Sequence, residues 1–264
     1  MRIENGELRI TKTPFSILHS QFIESLVWIY QNYRVPIKIY RERRKNVRAS
    51  IGKTAAILRM PKGLGKAGEA KYMDWFENWL KKELDTQKRI QQRFLIKTYQ
   101  SGDTLTIQDK TFTLHISYEN RKSHEAKLKG DTIYLKLSES DDKTHLQKSI
   151  KQLLSRIIAQ VFQKDIERRV DNFNDQYFQE NIKTIRLKYN QSNWGSCSSN
   201  RNLNFSTRLL FAPSEVIDYV IVHELAHLKE MNHSHRFWKI VGDIMPNYKR
   251  HELWLKEYGY LCDF

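Results

Sequence analysis

Two hydrophobic periods alternate along this chain. Apolar residues recur at helical spacing in some stretches and every second residue in others. Phe15 to Tyr33 has the helical spacing and predicts a short amphipathic helix. Ile37 to Tyr40, Val47 to Ile51 and Ala56 to Met60 alternate, which predicts strands that stop at Pro61. Gly63, Gly65 and Gly68 punctuate the turn that follows, without the Gly-Lys-Ser/Thr of a phosphate loop. Ala70 to Tyr99 predicts a long helix with Met73, Phe76, Trp79, Leu80 and Leu84 facing inward. Thr104 to Ile107, Thr111 to Ile116 and Thr132 to Leu137 predict a β section, with turns at Asp109-Lys110 and Gly130-Asp131. Leu146 to Phe173 predicts a second long helix burying Ile150, Leu153, Leu154, Ile157, Ile158 and Val161. Ile185 to Leu210 returns to strands. Pro213-Ser214-Glu215 then opens a further helix, with Ser214 as its N-cap and Val216, Ile217, Val220, Ile221 and Ala226 on its apolar face. The pattern is α+β, with no internal repeat visible.

Composition narrows the class. The 264 residues are 40% hydrophobic and 12% aromatic, which suits a globular chain with a sizeable core. Met1 to Thr11 lacks the apolar core of a signal peptide, and no run reaches the roughly 18 apolar residues of a membrane span. The two cysteines, Cys197 and Cys262, fit a reducing compartment and no disulfide framework. A soluble cytoplasmic protein is expected. The net charge of +15 adds a question of partners. Arg34, Lys38, Arg41, Arg43, Arg44, Lys45 and Arg48 crowd together against the single acid Glu42, and a second basic group spans Lys81 to Lys97. This is the footprint of a nucleic-acid backbone or a solvated basic face, and no base-reading motif accompanies it.

The chemistry concentrates in His223-Glu224-Leu225-Ala226-His227. Residues four apart share a helix face, so both imidazoles can turn a nitrogen toward one divalent metal, with Glu224 beside them as general base. A catalytic zinc takes three protein ligands and keeps a fourth position open. His233 is the first candidate for the third ligand, then Glu252, then His235; Asn232 is suited to a left-handed turn just before His233. Upstream, Trp194-Gly195-Ser196 reads as a strand beside the cleft that offers backbone groups to an extended substrate, or as a hairpin with Trp194 in the core. Cys197 is a weak candidate nucleophile beside a competing metal motif. Asn204 is placed to hold a site residue by hydrogen bond. Phe237-Trp238 is expected to bury aromatics under the metal site. Tyr248 and Arg250 are placed to donate to an oxyanion or to sit on the surface near a helix start.

Trp194-Gly195-Ser196-Cys197-Ser198, Asn204, Ala212-Pro213, Asp218-Tyr219-Val220, His223 to Leu228, Asn232-His233-Ser234 and Phe237-Trp238 together resemble the YgjP-like metallopeptidase family, which is similar to the WLM and SprT-like zinc peptidases. Arg41 to Pro61 resembles the family's basic strand pair, and Gly102-Asp103 through Leu114 its second β section. The resemblance implies a zincin-like core of long helices and a small antiparallel sheet, preceded by an N-terminal β-containing section. It also implies one zinc ion on His223, His227 and His233, with Glu224 as the base. Residues 1–33 are then an N-terminal extension and 34–264 the metallopeptidase domain, with its catalytic core about 146–264. The spacing of the three His is also similar to that of metzincins, but the Gly those enzymes place three residues after the second His is Glu230 here. The expected activity is peptide-bond hydrolysis on a protein or peptide substrate, away from any membrane. The alternative is a basic nucleic-acid-associated protein, either a SprT-like DNA-dependent protease or a binding module with a structural zinc.

Overall fold

The computed structural model of the chain describes residues 22–52 and 54–264. They are mixed α and β, divided between two compact units, Met1–Ile96 and Lys97–Phe264. Among the described residues no helix is long and apolar enough to cross a membrane.

The first unit opens with β1 (Phe22–Tyr30) and β2 (Tyr33–Glu42), an antiparallel hairpin closed by Gln31-Asn32. The helix expected over Phe15 to Tyr33 is therefore strand β1 from Phe22 to Tyr30, followed by the turn into β2, and its earlier part lies outside the described residues. Leu26 and Trp28 are buried on one face of β1, the period-2 pattern of a half-buried strand. The boundary expected between residues 33 and 34 falls inside β2. β3 (Arg48–Ile51) and β4 (Ala56–Pro61) complete a four-stranded sheet of order β1-β2-β4-β3, in which β2 and β4 are parallel. Val35, Ile37, Ile39, Ala56, Leu58 and Met60 point to one side. Against them pack α1 (Lys66–Thr86), through Phe76, Leu80 and Leu84, and α2 (Lys88–Phe94), through Ile90 and Phe94. The single long helix expected over Ala70 to Tyr99 is thus two, broken where Gln87 becomes extended.

The second unit begins with β5 (Thr104–Ile107), β6 (Lys110–Glu119), β7 (Glu125–Lys129) and β8 (Thr132–Ser138), in the order β5-β6-β8-β7. β7 is an addition to the sequence expectation. α3 (Lys143–Phe173) covers this sheet and also packs on the helix that carries the histidines. A five-residue π turn, Asn174–Phe178, ends it. A second sheet of order β10-β11-β9 comprises β9 (Thr184–Lys188), β10 (Gly195–Cys197) and β11 (Asn202–Ser206), with β9 parallel to β11. α4 (Ser214–Ala226), α5 (His235–Ile244) and α6 (Tyr248–Tyr258) follow.

The two four-stranded sheets are the same object twice. Each contains two hairpins joined by one parallel pairing, and each is followed by a helix. All three pairings recur in a register 77 residues later: Tyr30↔Tyr33 becomes Ile107↔Lys110, Ile37↔Ala56 becomes Leu114↔Ile133, and Ile51↔Ala56 becomes Leu128↔Ile133. The helices start in the same step, at Lys66 and Lys143. Both first hairpins turn at a Gln with positive φ, Gln31 at 50° and Gln108 at 53°, as a two-residue turn matched to strand twist requires. Even the polar contacts repeat: Glu42 pairs with Arg44 and Arg59, and Glu119 pairs with Arg121 and Lys136. The sequence reading of no internal repeat is corrected by this register.

Candidate metal centre

α4 is almost wholly buried: Val216, Ile217, Val220, Ile221, Val222 and Leu225 are each at most 2% exposed. Such a helix is held by tertiary packing on every side. Its start differs from expectation. Pro213 occupies the cap position without a side-chain bond, and Ser214 instead accepts from Arg169 at 2.9 Å. Arg169 also donates to Asp218 at 2.9 Å, tying α3 to the first turn of α4.

One face of α4 presents Tyr219 and His223, and His227 stands just past its end. The helix closes tightly, with Leu228 donating to the Leu225 carbonyl and both Lys229 and Glu230 donating to that of Ala226. Asn232 does not adopt the left-handed conformation expected of it; among the described residues the non-glycine positions with positive φ are Gln31, Gln108, Gln179 and Arg201. His233 arrives at the face nonetheless. Ser234 immediately caps α5 by accepting from the Phe237 N–H at 3.4 Å. That cap seats the fully buried Phe237 among all three imidazoles, with ring centroids 4.9 Å from His223, 4.5 Å from His227 and 4.7 Å from His233. Trp238 stacks on His233 at 5.6 Å, and Tyr248 stacks on Trp238 at 5.3 Å.

The ligating atoms of His223, His227 and His233 all lie within 4.8 Å of one another. Glu252 and His235 fall outside this group. Nε2 of His223 and Nε2 of His233 are 3.0 Å apart. Burial, reinforced by His227 and His233, pushes His223 down to about 3, so its ring is neutral at physiological pH. Burial also lowers His227. Nδ1 of His227 lies 3.1 Å from the Glu230 carbonyl; donating there leaves Nε2 with its lone pair. Three imidazoles crowded together without an acid among them are a donor set for a divalent cation.

Glu224 is 5% exposed, and burial pushes its carboxyl up to about 8, against a backbone N–H of Cys197 that favours the ionised form. Its space comes from β10. A Cβ on Gly195 would stand 2.5 Å from Oε1 of Glu224, so glycine is required by close approach. Cys197 is pushed up to about 11 by burial and by Glu224, and remains a thiol at neutral pH; that does not suit a nucleophile.

These features have a counterpart among known families. The YgjP-like family, described as a YgjP-like metallopeptidase domain, matches residues 45–258. The chain belongs to this family. Like its other members it is a metallopeptidase by descent, and a divalent metal is implied. No curated protein matches the chain. Among solved structures it is similar to the metallopeptidase zymogen abylysin of Pyrococcus abyssi, at 24% identity over 35% of this chain and 94% of that one, with a TM-score of 0.32. It is also similar to the zymogen jannalysin of Methanocaldococcus jannaschii, at 22% identity over the same shares, again with a TM-score of 0.32.

The remaining candidates of this YgjP-like chain divide. Gly195 lines the Glu224 carboxyl. Ser196 is held on the neighbouring strand by Asn204 Nδ2 at 3.4 Å. At Trp194 the Arg208 guanidinium lies 4.7 Å over the ring and Gly259 packs against its edge. Arg208 itself, absent from the sequence candidates, donates to the carbonyls of Cys262 at 2.7 Å, Gln191 at 2.8 Å and Gly259 at 3.2 Å. Nothing in its spacing announced that role. Tyr219 was also missed as a site residue; its ring meets His223 edge-on at 5.9 Å, and its position four residues before His223 is the signal that could have found it.

Proposed function

We propose that the chain is a zincin-like, zinc-dependent peptidase, with one ion held by His223, His227 and His233 and with Glu224 as the general base. The observation that carries this reading is the convergence of three imidazoles beside a buried carboxyl that the glycine of β10 leaves just enough room for. When bound, zinc supplies Lewis acidity that polarises a carbonyl and acidifies water to a pKa of about 7.

The chain's own groups supply the rest. Phe237 and Trp238 fix the imidazole planes and keep bulk water from their backs. Burial alone favours the protonated form of Glu224, and the charge of a bound cation beside it would favour the carboxylate; in that form, steadied by the Cys197 N–H, Glu224 takes a proton from the attacking water and returns it to the leaving amine. A substrate backbone is offered β10, the edge strand of its sheet, where Gly195 and Ser196 expose backbone groups for strand addition. Trp194 supports that strand from behind, and Tyr248 supports Trp238.

Metal content and turnover measured together test the assignment. Glu224→Gln is expected to retain one zinc per chain and lose about 10²–10⁴-fold in kcat. His223→Ala and His233→Ala are expected to lose the metal. Equal turnover by metal-loaded wild type and Glu224→Gln would remove Glu224 as the base. Full zinc retention by His233→Ala would remove the third ligand.

A further inference from the structure

We propose that the open face of the first sheet, opposite α1 and α2, binds the phosphate backbone of nucleic acid. Alternation along β2 turns Val35, Ile37 and Ile39 into the core, leaving Arg34 and Lys38 exposed on the other face with Tyr40. The register places Arg59 of β4 beside Tyr40 and Arg48 of β3 beside Arg59. Arg59 lies 4.4 Å over the Tyr40 ring. The β2–β3 connection adds Arg43 and Lys45, both exposed. The one acid here, Glu42, is engaged by Arg44 and Arg59. Among the described residues no carboxylate pairs with Arg34, Lys38, Arg43, Lys45 or Arg48.

The repeat supplies the internal control. The same ribbon 77 residues later holds Thr111, His115, Asn120, Lys122 and Glu125 at those five positions. Four of the five cations are absent there, and Arg48 is answered by an acid that Arg121 and Lys127 bind. The ribbon therefore folds without this charge, and stability does not account for it.

The layout selects the ligand. Arg34 and Lys38 stand about 13 Å apart along one strand, and Arg59 and Arg48 about 5 Å apart across two. Cations spread flat over that area make no pocket for a single anion. They fit a chain that repeats its charge, and the predominance of arginine suits phosphate, which a guanidinium grips with two bonds.

The test uses the full chain and a labelled DNA duplex and single strand in an anisotropy titration across a salt series. Arg34→Gln/Lys38→Gln/Arg48→Gln is set against Lys122→Gln/Lys127→Gln/Lys129→Gln, which removes the same charge from the second ribbon. The first triple is expected to weaken binding about tenfold or more and to lower the log–log salt slope by about 3, while the second stays within about twofold. Equal weakening by both triples, or no salt-dependent binding by wild type, would overturn the proposal. So would polyglutamate competing as well as DNA at equal charge, which would assign the face to acidic polypeptide. Unchanged thermal unfolding of both triples keeps misfolding out of the comparison.

Discussion

The two ribbons share topology, register and even an ion-paired glutamate, yet they differ in what is built on them. In the first, α1 covers the sheet and stops at Thr86; α2 folds back, with Arg93 donating to the Gly52 carbonyl at 2.7 Å and Ile96 donating to that of Asn32 at 2.7 Å. The core closes there. In the second, α3 runs to Phe173, ten residues beyond the point that matches the end of α1. Ile166 and Val170 in that continuation are fully buried, and Arg169 ties it to α4. A sheet that is merely complete in one copy becomes the foundation of the metal site in the other, because its helix continues. The same ribbon carries a helix that ends with it in one copy and a helix that continues to pack on α4 in the other.

The sharpest test sets one leucine against its counterpart. Leu58 and Leu135 occupy equivalent positions in β4 and β8, and both are 0% exposed. Each substitution to Ala is expected to cost about 2–5 kcal/mol of its own unit. Leu135→Ala should lower zinc retention in denaturant, and Leu58→Ala should leave it unchanged while an earlier unfolding transition appears. Zinc release following both substitutions alike would mean that the ribbons do not act as separate foundations.

The second effect concerns the unit that carries chemistry. Gly195→Ala puts a methyl where the Glu224 carboxylate lies, and a buried helix on one side and β11 on the other leave it nowhere to go. A displacement of about 1 Å in a catalytic group costs on the order of 10²-fold in rate, so kcat should fall by about that much with zinc content preserved. Gly242→Ala is the control, since its added Cβ meets Tyr248 no closer than 3.6 Å. A fully active Gly195→Ala would show that Glu224 is not confined by β10.

How much of this was legible in the sequence depends on whether the cause is local. The 3.6-residue spacing of His223 and His227 set out that part of the imidazole cluster because a helix face and its end are local properties, and His233 follows within one short connection. The strands ending at Pro61 were legible for the same reason. β1 was not: Phe22, Leu26 and Ile29 imitate helical spacing, and pairing with β2 over nine residues decides the matter. The break at Gln87 has neither Pro nor Gly to mark it. β7, Glu-Ala-Lys-Leu-Lys, is an edge strand whose charged side chains dilute its alternation. The repeat escaped because its copies agree at scattered residues such as Gln31 and Gln108, Arg44 and Arg121, Leu58 and Leu135. What the copies share is backbone register, with different side chains filling each core. The approach of Gly195 to Glu224 spans 29 positions and has no local signature.

The smallest difference between the ribbons is an ion pair that only one of them has. Arg41 grips Glu69 with two bonds of 2.8 and 2.9 Å; the second ribbon has Tyr118 and Leu146 at those positions. The hydrogen bond from Arg41 holds the Glu69 carboxyl below its usual value of 4.5. A depressed carboxylate stabilises the folded state fully above pH 4.5, and that contribution is lost as the pH falls through the folded value. Half-exposed pairs of this kind contribute within about 1 kcal/mol. Glu69→Gln should therefore lower the stability of the first unit slightly at pH 7, with its curve converging on that of wild type as the pH falls below 4.5. Urea midpoints for the first transition across that range provide the measurement. Curves that stay parallel would mean that the pair contributes nothing in solution.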